Sequence, residues 1–179
     1  MTSIGRFDNW SQDCEYALNK QINIEYMASY QYHALYSYFS RDEVAFKNIA
    51  EFFYKCCVEE REHADTLVKY QIMRGGKVVL ENIAKPLLEF NSNNNKSDIL
   101  IGFELALQLE QQVYKSLLEL HKISDNSYDF QFSDYIESNF LGEQVESIHN
   151  LSIHIANLGK IGTVGHALWD FDNTFKLNT

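Results

Sequence analysis

The sequence predicts an all-α protein, built as a four-helix bundle with one long crossover and a short fifth helix at its end. Three observations support this fold class. The 179 residues include one proline and eight glycines, too few for a chain of many short strands and turns. Long segments without either residue show apolar side chains at helical spacing. At roughly 150 residues per domain, the length predicts a single domain over residues 1–179.

The first two helices are predicted on either side of a short turn. One spans Trp10–Phe39 and contains neither glycine nor proline. In the turn, Ser40 with Glu43 fits a capping box for the next helix, and Asp42 is an alternative cap. That second helix continues to Arg74, where two consecutive glycines end it.

A long crossover follows over residues 77–95, with Pro86 in its middle and an asparagine-rich run at its end. Asparagine competes with helix through local side-chain hydrogen bonds, so no helix is expected there. The crossover reaches roughly 65 Å when extended, against roughly 44 Å for a helix of about 29 residues, so it can return along the whole bundle. The third helix is predicted from a Ser97 or Asp98 cap to about Ile123.

The last two helices follow a turn over residues 124–129. The fourth is predicted to run to about Lys160, and a short fifth helix spans about His166–Phe175. Because the first and third connections are short, each flanking helix pair is antiparallel. The result is a four-helix bundle with one long connection and a terminal helix.

Polar residues interrupt the apolar faces of the predicted helices at one level along the bundle axis. Glu25 lies 17 residues before the centre of the first turn, near residue 42, and Glu60 lies 18 after it. Glu110 and Gln144 lie 17 residues before and after the centre of the second short turn, near residue 127. In an antiparallel helix pair, two residues at nearly the same number of residues from the turn lie at the same level along the bundle axis. His63 is one turn from Glu60 on the same face.

These groups predict a metal site. Charges inside a bundle are costly unless they are paired or bound to a metal, and neither Lys nor Arg occupies these positions. Two glutamates and a histidine suit a first-row metal, iron above all. Glu60 can bridge two metals, but no second Glu-x-x-His follows Glu110. The second metal would be held weakly, which suits a substrate that leaves. Tyr32 lies two turns from Glu25 on the same face.

Each group alone has a simpler interpretation. A single glutamate on a long helix is usually solvated, and a tyrosine at helical spacing is more often part of the core. A lone Glu-x-x-His is common by chance. Four positions matched in height on four helices favour the metal site over these alternatives.

Composition limits the partners and the compartment. Twenty-five acidic and fifteen basic residues give a net charge of −10, and the sequence has no basic cluster. Nucleic acid is therefore not expected as a binding partner, whereas cations are. The chain has an odd number of cysteines, and two of the three (Cys14, Cys56 and Cys57) are adjacent. This pattern does not suit a disulfide framework and predicts reduced thiols in an intracellular protein. No run approaches the roughly 18 apolar residues of a membrane span, and the first ten residues do not resemble a secretory signal. We expect a cytoplasmic protein with no membrane partner.

The sequence around these positions resembles the ferritins, above all the heavy-chain, ferroxidase type of animals. The resemblance extends from about Cys14 to Phe175 and is carried by KQINIEYMASYQY, EEREHADTLVKYQIMRGG, LALQLEQQVYKSLLELH and LGEQV. It implies a single ferritin-like domain that oxidises Fe(II) with dioxygen at a di-iron site inside each subunit. It also implies iron storage and detoxification as an Fe(III) mineral within a shell of twenty-four subunits, formed alone or with another ferritin chain. Iron is the substrate and stored product, and no haem is expected.

The resemblance also assigns roles to individual residues. The implied catalytic residues are Glu25, Tyr32, Glu60, His63, Glu110 and Gln144. Within them, Glu25, Glu60 and His63 match the first iron site, and Glu60 with Glu110 match the second. The implied acidic path from the centre to the mineral cavity consists of Glu59, Glu62 and Glu143. Asp134 and Glu137 match the acidic lining of three-fold channels, with His121 near the mouth.

Some questions stay open at this stage. The fifth helix carries His166, Asp170 and Thr174 where apolar or histidine residues often line the four-fold axis, so ion conduction there is undecided. One alternative function is a structural shell subunit that mineralises iron oxidised elsewhere; the complete ligand set favours the ferroxidase instead. Another is a peroxide-consuming, DNA-protecting miniature cage, which the fifth helix disfavours.

Overall fold

The computed structural model describes residues 4–90, 96–162 and 165–175, so the asparagine-rich run at 91–95 lies outside the described residues. All regular secondary structure in these ranges is helical, which confirms the all-α prediction. The α-helices are α1 Gln12–Phe39, α2 Lys47–Met73, α3 Asp98–Asn126, α4 Phe130–Ile136, α5 Gly142–Ile161 and α6 His166–Thr174. A π-helical turn, Glu137–Leu141, joins α4 to α5.

The helices form the predicted four-helix bundle. Helix α1 packs along α2, and α3 packs against α1 and against α5. Helix α4, the π-helical turn and α5 together make the fourth helix of the bundle, and α6 docks on α2. Aromatic rings fill the core near α6, where the Phe53 ring lies 5.5 Å from Phe39 and 5.3 Å from Phe103 between centroids. Among the described helices, none has the length and apolarity needed to cross a membrane.

The predicted caps at the start of the second helix are wrong. Ser40 closes α1 instead, and Asp42 accepts only from the N–H of its neighbour. Helix α2 begins after Phe46, which makes no side-chain capping bond. The free N–H of Ile49 is satisfied from α6, because Oδ1 of Asp172 accepts from it at 2.9 Å. A local sequence rule does not detect a cap supplied by a distant helix.

The other helix ends lie closer to their predictions. Ser97 caps α3, since its Oγ accepts from the N–H of Leu100 at 3.2 Å. Helix α3 continues to Asn126, beyond the predicted end near Ile123. Asp129 then caps α4 through its side chain. The turn between the third and fourth bundle helices is therefore shorter than the sequence suggests.

The fourth bundle helix differs from the continuous helix that the sequence predicts. A π-helical turn holds one more residue per hydrogen-bonded ring than an α-helix, and such turns are frequent at functional sites. Here it includes Phe140, which is buried and lies edge-on to His63 with ring centroids 5.6 Å apart. The irregular turn therefore adjoins one of the predicted metal ligands.

The crossover is fastened to α1 by side-chain amides. Asn19, Asn23 and Gln31 each form paired hydrogen bonds with its backbone. Asn19, for example, accepts from the N–H of Val79 and donates to the carbonyl of Lys77, both at 2.9 Å. Because an extended segment lacks its own backbone hydrogen bonds, these amides satisfy polar groups that would otherwise need water.

Asn19→Ala should speed hydrogen exchange at the Val79 amide. One hydrogen bond is worth about 1 kcal/mol, so local opening should increase roughly fivefold. Mass spectrometry of peptides from the crossover measures this change. The Glu81 amide, which Asn23 holds at 2.8 Å, is the internal control and should exchange as before. Equal acceleration at both amides would contradict the separate clamps.

A buried ion pair between Arg74 and Asp129 connects segments at the end of the bundle where α2 ends and α4 begins. The Arg74 guanidinium donates to Asp129 at 2.6 Å and to the Tyr70 hydroxyl at 2.6 Å. The Arg74 and Asp129 side chains are 4% and 0% exposed. The guanidinium also lies over the Trp10 ring, 4.6 Å from its centroid. The end of α2, the N-terminal segment and the turn before α4 therefore share one polar centre.

Candidate metal centre

The four polar positions predicted at one height do meet inside the bundle. Glu25 comes from α1, Glu60 from α2, Glu110 from α3 and Gln144 from α5, and all four are less than 5% exposed. His63, one turn after Glu60, is partly buried beside them. One ligand atom from each of Glu25, Glu60 and His63 lies within 4.8 Å of the other two. These three groups are close enough to share one metal ion.

The geometry of this triad fits a cation. Oε2 of Glu25 and Oε2 of Glu60 are buried and have no hydrogen-bond partner among the described residues. The His63 Nδ1 lies 3.5 Å from Oε2 of Glu60. Burial and the neighbouring Glu60 raise the pKa of Glu25 well above its ordinary value. Burial and the charge of Glu110 do the same to the pKa of Glu60. A bound cation would satisfy these oxygens and stabilise their ionised form.

Glu110 is held differently, because both of its carboxylate oxygens are hydrogen-bonded. The Tyr32 hydroxyl donates to Oε1, and Nε2 of Gln144 donates to Oε2. The same Gln144 nitrogen donates to the backbone carbonyl of Glu110 at 3.1 Å. Burial raises the pKa of Glu110, and the bonds from Tyr32 and Gln144 partly offset that rise. A metal at Glu110 must compete with these donors, so weaker binding is expected there than at the triad.

The predicted acidic path lines a cavity beside the centre. This cavity of about 650 Å³ is lined by Tyr32 and Glu110 of the centre and by Glu59, Glu62 and Glu143, among other residues. Burial and the adjacent Glu143 raise the pKa of Glu59 to about 7. Oε2 of Glu143 also lies 3.3 Å from Nε2 of His63. One of the predicted path residues, Glu143, therefore lies beside the triad.

The predicted channel residues form a separate group. Asp134 and Glu137 are exposed and do not line the cavity beside the centre. Oε1 of Glu137 lies 2.6 Å from Nε2 of His121. The exposed Asp134 and Glu137, with His121 beside Glu137, thus lie apart from the buried triad.

Two polar residues beside the centre, Gln21 and Ser116, were not predicted from the sequence. Gln21 is 1% exposed, and its Nε2 donates to Oε1 of Glu25 at 2.7 Å. The Ser116 hydroxyl of α3 in turn donates to Oε1 of Gln21 at 2.6 Å. The available signal was the spacing, since Gln21 precedes Glu25 by four residues and faces the same way. Ser116 gave no comparable signal.

Comparison with known proteins identifies relatives along most of the chain. The family model for the ferritin-like domain, called Ferritin, matches residues 15–161. Ferritin-3, chloroplastic, of Glycine max is 49% identical over 163 residues, which are 91% of this chain and 63% of that protein. Ferritin, chloroplastic, of Malus baccata var. xiaojinensis is 50% identical over 164 residues, or 92% and 65% of the two chains. This chain therefore spans less than two thirds of the length of these relatives.

A solved structure shows the same fold. The crystal structure of ferritin from the multicellular green alga Ulva pertusa superposes with a TM-score of 0.91 at 39% identity. The match covers 96% of this chain and 86% of the algal chain. The ferritin-like bundle with its terminal helix is therefore confirmed.

The predicted cytoplasmic location is wrong, because the curated relatives are named chloroplastic. Reduced cysteines separate reducing from oxidising compartments but do not tell one reducing compartment from another.

These three relatives come from plants and a green alga. They support the predicted family but not its animal heavy-chain subtype. The family model covers well over half of the chain, and the algal structure shares its fold. The chain therefore belongs to the ferritin family.

Proposed function

We propose that this chain is the ferroxidase subunit of an iron store, of the catalytic type represented by heavy chains. It oxidises Fe(II) with dioxygen at the centre inside the subunit and passes Fe(III) to a stored mineral. The observation that carries this proposal is the buried triad of Glu25, Glu60 and His63, in which two carboxylate oxygens lack hydrogen-bond partners within the described ranges. Buried carboxylates without partners lower the stability of a fold, so a subunit that served only as part of the shell would not be expected to keep them.

Each residue has a distinct task in this proposal. Glu25 and His63 bind the first Fe(II), and Glu60 lies between it and the second. Glu110 binds the second Fe(II) once the ion has displaced the donors Tyr32 and Gln144, which hold the carboxylate ready. Because Glu110 starts with satisfied oxygens, the second ion binds less tightly and leaves more readily as product.

The product then leaves along the acidic path. Glu143 is close to His63, and Glu59 and Glu62 continue along the cavity wall. Fixed carboxylates of one sign raise the local concentration of cations. These side chains move ferric ions away from the centre and free it for the next pair.

Oxygen uptake during Fe(II) oxidation tests this function. The purified apo-protein is mixed with Fe(II) in a stopped-flow instrument, while an electrode records dioxygen. A pair of Fe(II) ions donates two electrons to one dioxygen, which takes up two protons and leaves as hydrogen peroxide, so we expect fast oxidation with one dioxygen consumed for every two Fe(II). Oxidation no faster than in protein-free buffer would overturn the proposal and favour a shell subunit that only stores iron.

We infer that the chain assembles into a closed shell of twenty-four copies, alone or with another ferritin chain. The crossover leaves apolar side chains exposed, with Val79 at 51%, Leu80 at 65% and Leu87 at 58%. Such a patch is typical of a protein interface. Analytical ultracentrifugation at neutral pH should show one large species, and a sharp peak at the monomer mass of 20.9 kDa would contradict the shell.

The names of the relatives also suggest where the protein works. We infer a plastid location, which imaging of the full-length protein with a C-terminal fluorescent tag tests directly. Fluorescence in the plastid supports the inference, and diffuse fluorescence outside it would count against it.

The exposed acids at the start of the fourth bundle helix should control iron supply. We expect Asp134→Asn with Glu137→Gln to slow Fe(II) oxidation roughly tenfold at low Fe(II), because focusing of cations by carboxylates is lost. At saturating Fe(II) the rates should converge, since the buried triad is untouched. Stopped-flow traces over a range of Fe(II) concentrations measure both limits. Superimposable progress curves for variant and parent would point to another route, such as the surface of α6 at His166 and Asp170.

A further inference from the structure

Gln21 occupies an unusual position for a polar side chain. It lies on α1 one turn before Glu25 and is 1% exposed. A buried amide is costly unless its donor and acceptor both find partners. Here Nε2 donates to Oε1 of Glu25 at 2.7 Å, and Oε1 accepts from the Ser116 hydroxyl at 2.6 Å. The amide therefore links a residue of α3 to a metal-binding carboxylate of α1.

Both polar atoms of the Gln21 amide are hydrogen-bonded, one to Ser116 and the other to Glu25. The Ser116 hydroxyl donates to the amide oxygen of Gln21, and the amide nitrogen faces Glu25. A donor facing one carboxylate oxygen favours the ionised carboxylate and restrains its rotation. Oε1 of Glu25 is thereby occupied, whereas Oε2 has no partner among the described residues. The two oxygens of this carboxylate are therefore not equivalent.

The other two buried carboxylates of the centre, Glu110 and Glu60, differ from Glu25. Glu110 receives donors on both oxygens. Glu60 has a free Oε2 that faces His63 at 3.5 Å. Glu110 is also held by an amide, that of Gln144, but on both oxygens together with Tyr32. Glu25 instead has one oxygen bonded to Gln21, an amide whose own oxygen accepts from Ser116 of α3. Partners of this kind fix the orientation of metal ligands and tune their binding.

We propose that Gln21, oriented by Ser116, is a positioning residue that makes Glu25 a one-oxygen ligand of the first Fe(II), through Oε2. This inference rests on the proposed function of the centre. Restraint of Oε1 prevents Glu25 from chelating the ion with both oxygens. A coordination position of the iron is thereby kept for another ligand.

The test uses Co²⁺ alone as a probe of the intact protein, because its visible bands report coordination geometry. Gln21→Leu removes both hydrogen bonds at similar side-chain volume. We expect Co²⁺ affinity, measured by isothermal titration calorimetry, to fall roughly 10- to 100-fold, as for the loss of other outer partners of metal ligands. The visible spectrum should change as well, because Glu25 is free to bind through both oxygens. Ser116→Ala leaves Gln21 in place without its orienting partner, and should shift both readouts in the same direction by a smaller factor.

Asn19→Leu is the matched control. Asn19 is also a buried amide of α1, 8% exposed, but its hydrogen bonds go to the crossover and not to Glu25. It should leave Co²⁺ affinity and spectrum at the parent values. If Gln21→Leu does not fold, Ser116→Ala carries the test, since Ser116 is only partly buried.

The outcomes separate this inference from the proposed function. Parent-like affinity and spectrum in Gln21→Leu and Ser116→Ala would overturn the positioning role. Glu60→Ala serves as the reference for the centre itself. If it left Co²⁺ binding unchanged, the ion would not be bound at the triad, and the proposed function would fail with the inference. A crystal of the Co²⁺ complex with one Glu25 oxygen on the ion in the parent and two in Gln21→Leu would support the role directly.

Discussion

Replacing Glu60 by alanine should abolish fast Fe(II) oxidation while the chain still folds. In the proposed function Glu60 lies between the two Fe(II) positions, and the structure places it beside His63, Glu25 and Glu110. Its loss removes a ligand from both ions. Loss of an outer partner alone costs roughly 10- to 100-fold, so loss of a shared ligand should cost at least about 100-fold in rate.

Folding should survive this change for an electrostatic reason. Without a cation, Glu60 is a buried carboxylate with an unpartnered oxygen in the described chain, and removing such a group can be neutral or stabilising. Circular dichroism and thermal melting of the apo-protein check this point. Asp65→Ala is the matched control for the kinetics, because Asp65 is an exposed carboxylate of the same helix, bonded to the Tyr26 hydroxyl at 2.9 Å. An active Glu60→Ala variant would show that the centre has been assigned to the wrong residues.

Among the variants proposed for this protein, Asp129→Ala should lower the free energy of unfolding the most. The Asp129 carboxylate is 0% exposed and neutralises the buried Arg74 guanidinium, and it also caps α4. Breaking a buried ion pair by removing one partner costs about 3–5 kcal/mol, because the remaining charge stays buried without compensation. Urea unfolding, followed by circular dichroism, measures the change. Protein concentration must be held constant, because subunit association shifts the midpoint by mass action.

Two further variants isolate the cause of that loss. Asp129→Asn keeps a cap acceptor and removes only the charge, so it should recover the part due to the cap. Arg41→Ala breaks the exposed bond between Arg41 and Glu89 and should change the midpoint much less, because water solvates the partner left behind. If Asp129→Ala and Arg41→Ala unfolded at the same urea concentration, the buried pair would not be the stabilising feature inferred here.

The bundle and the height of its polar residues followed from the sequence for a simple physical reason. Helix length and turn position determine which residues lie opposite each other in an antiparallel pair. Glu25 and Glu60 were therefore placed together from their distances to one turn, and the structure has them within a shared ligand set. Glu110 and Gln144 were paired in the same way and are hydrogen-bonded. The roles assigned to these residues stay predictions until the kinetics are measured.

Features that depend on contacts between distant segments did not follow. The start of α2 is capped by Asp172, which lies more than 120 residues later. Gln21 and Ser116 meet across two helices, and although the spacing of Gln21 to Glu25 is informative, nothing in the local sequence marks Ser116 as its partner. The π-helical turn has no proline or glycine within it to mark its position. Local propensity and periodicity do not contain this information, because tertiary packing decides it.

The π-helical turn also divides the fourth bundle helix into two rotational phases. In a regular α-helix each residue advances the side chain by about 100°, so one inserted residue changes the direction of everything on one side of it. Asp134 lies before the turn and Gln144 after it. A change in the length of this turn would therefore rotate Gln144, which holds Glu110, relative to the exposed Asp134. In the proposed function, the supply of Fe(II) and its oxidation therefore both depend on the geometry of this one turn.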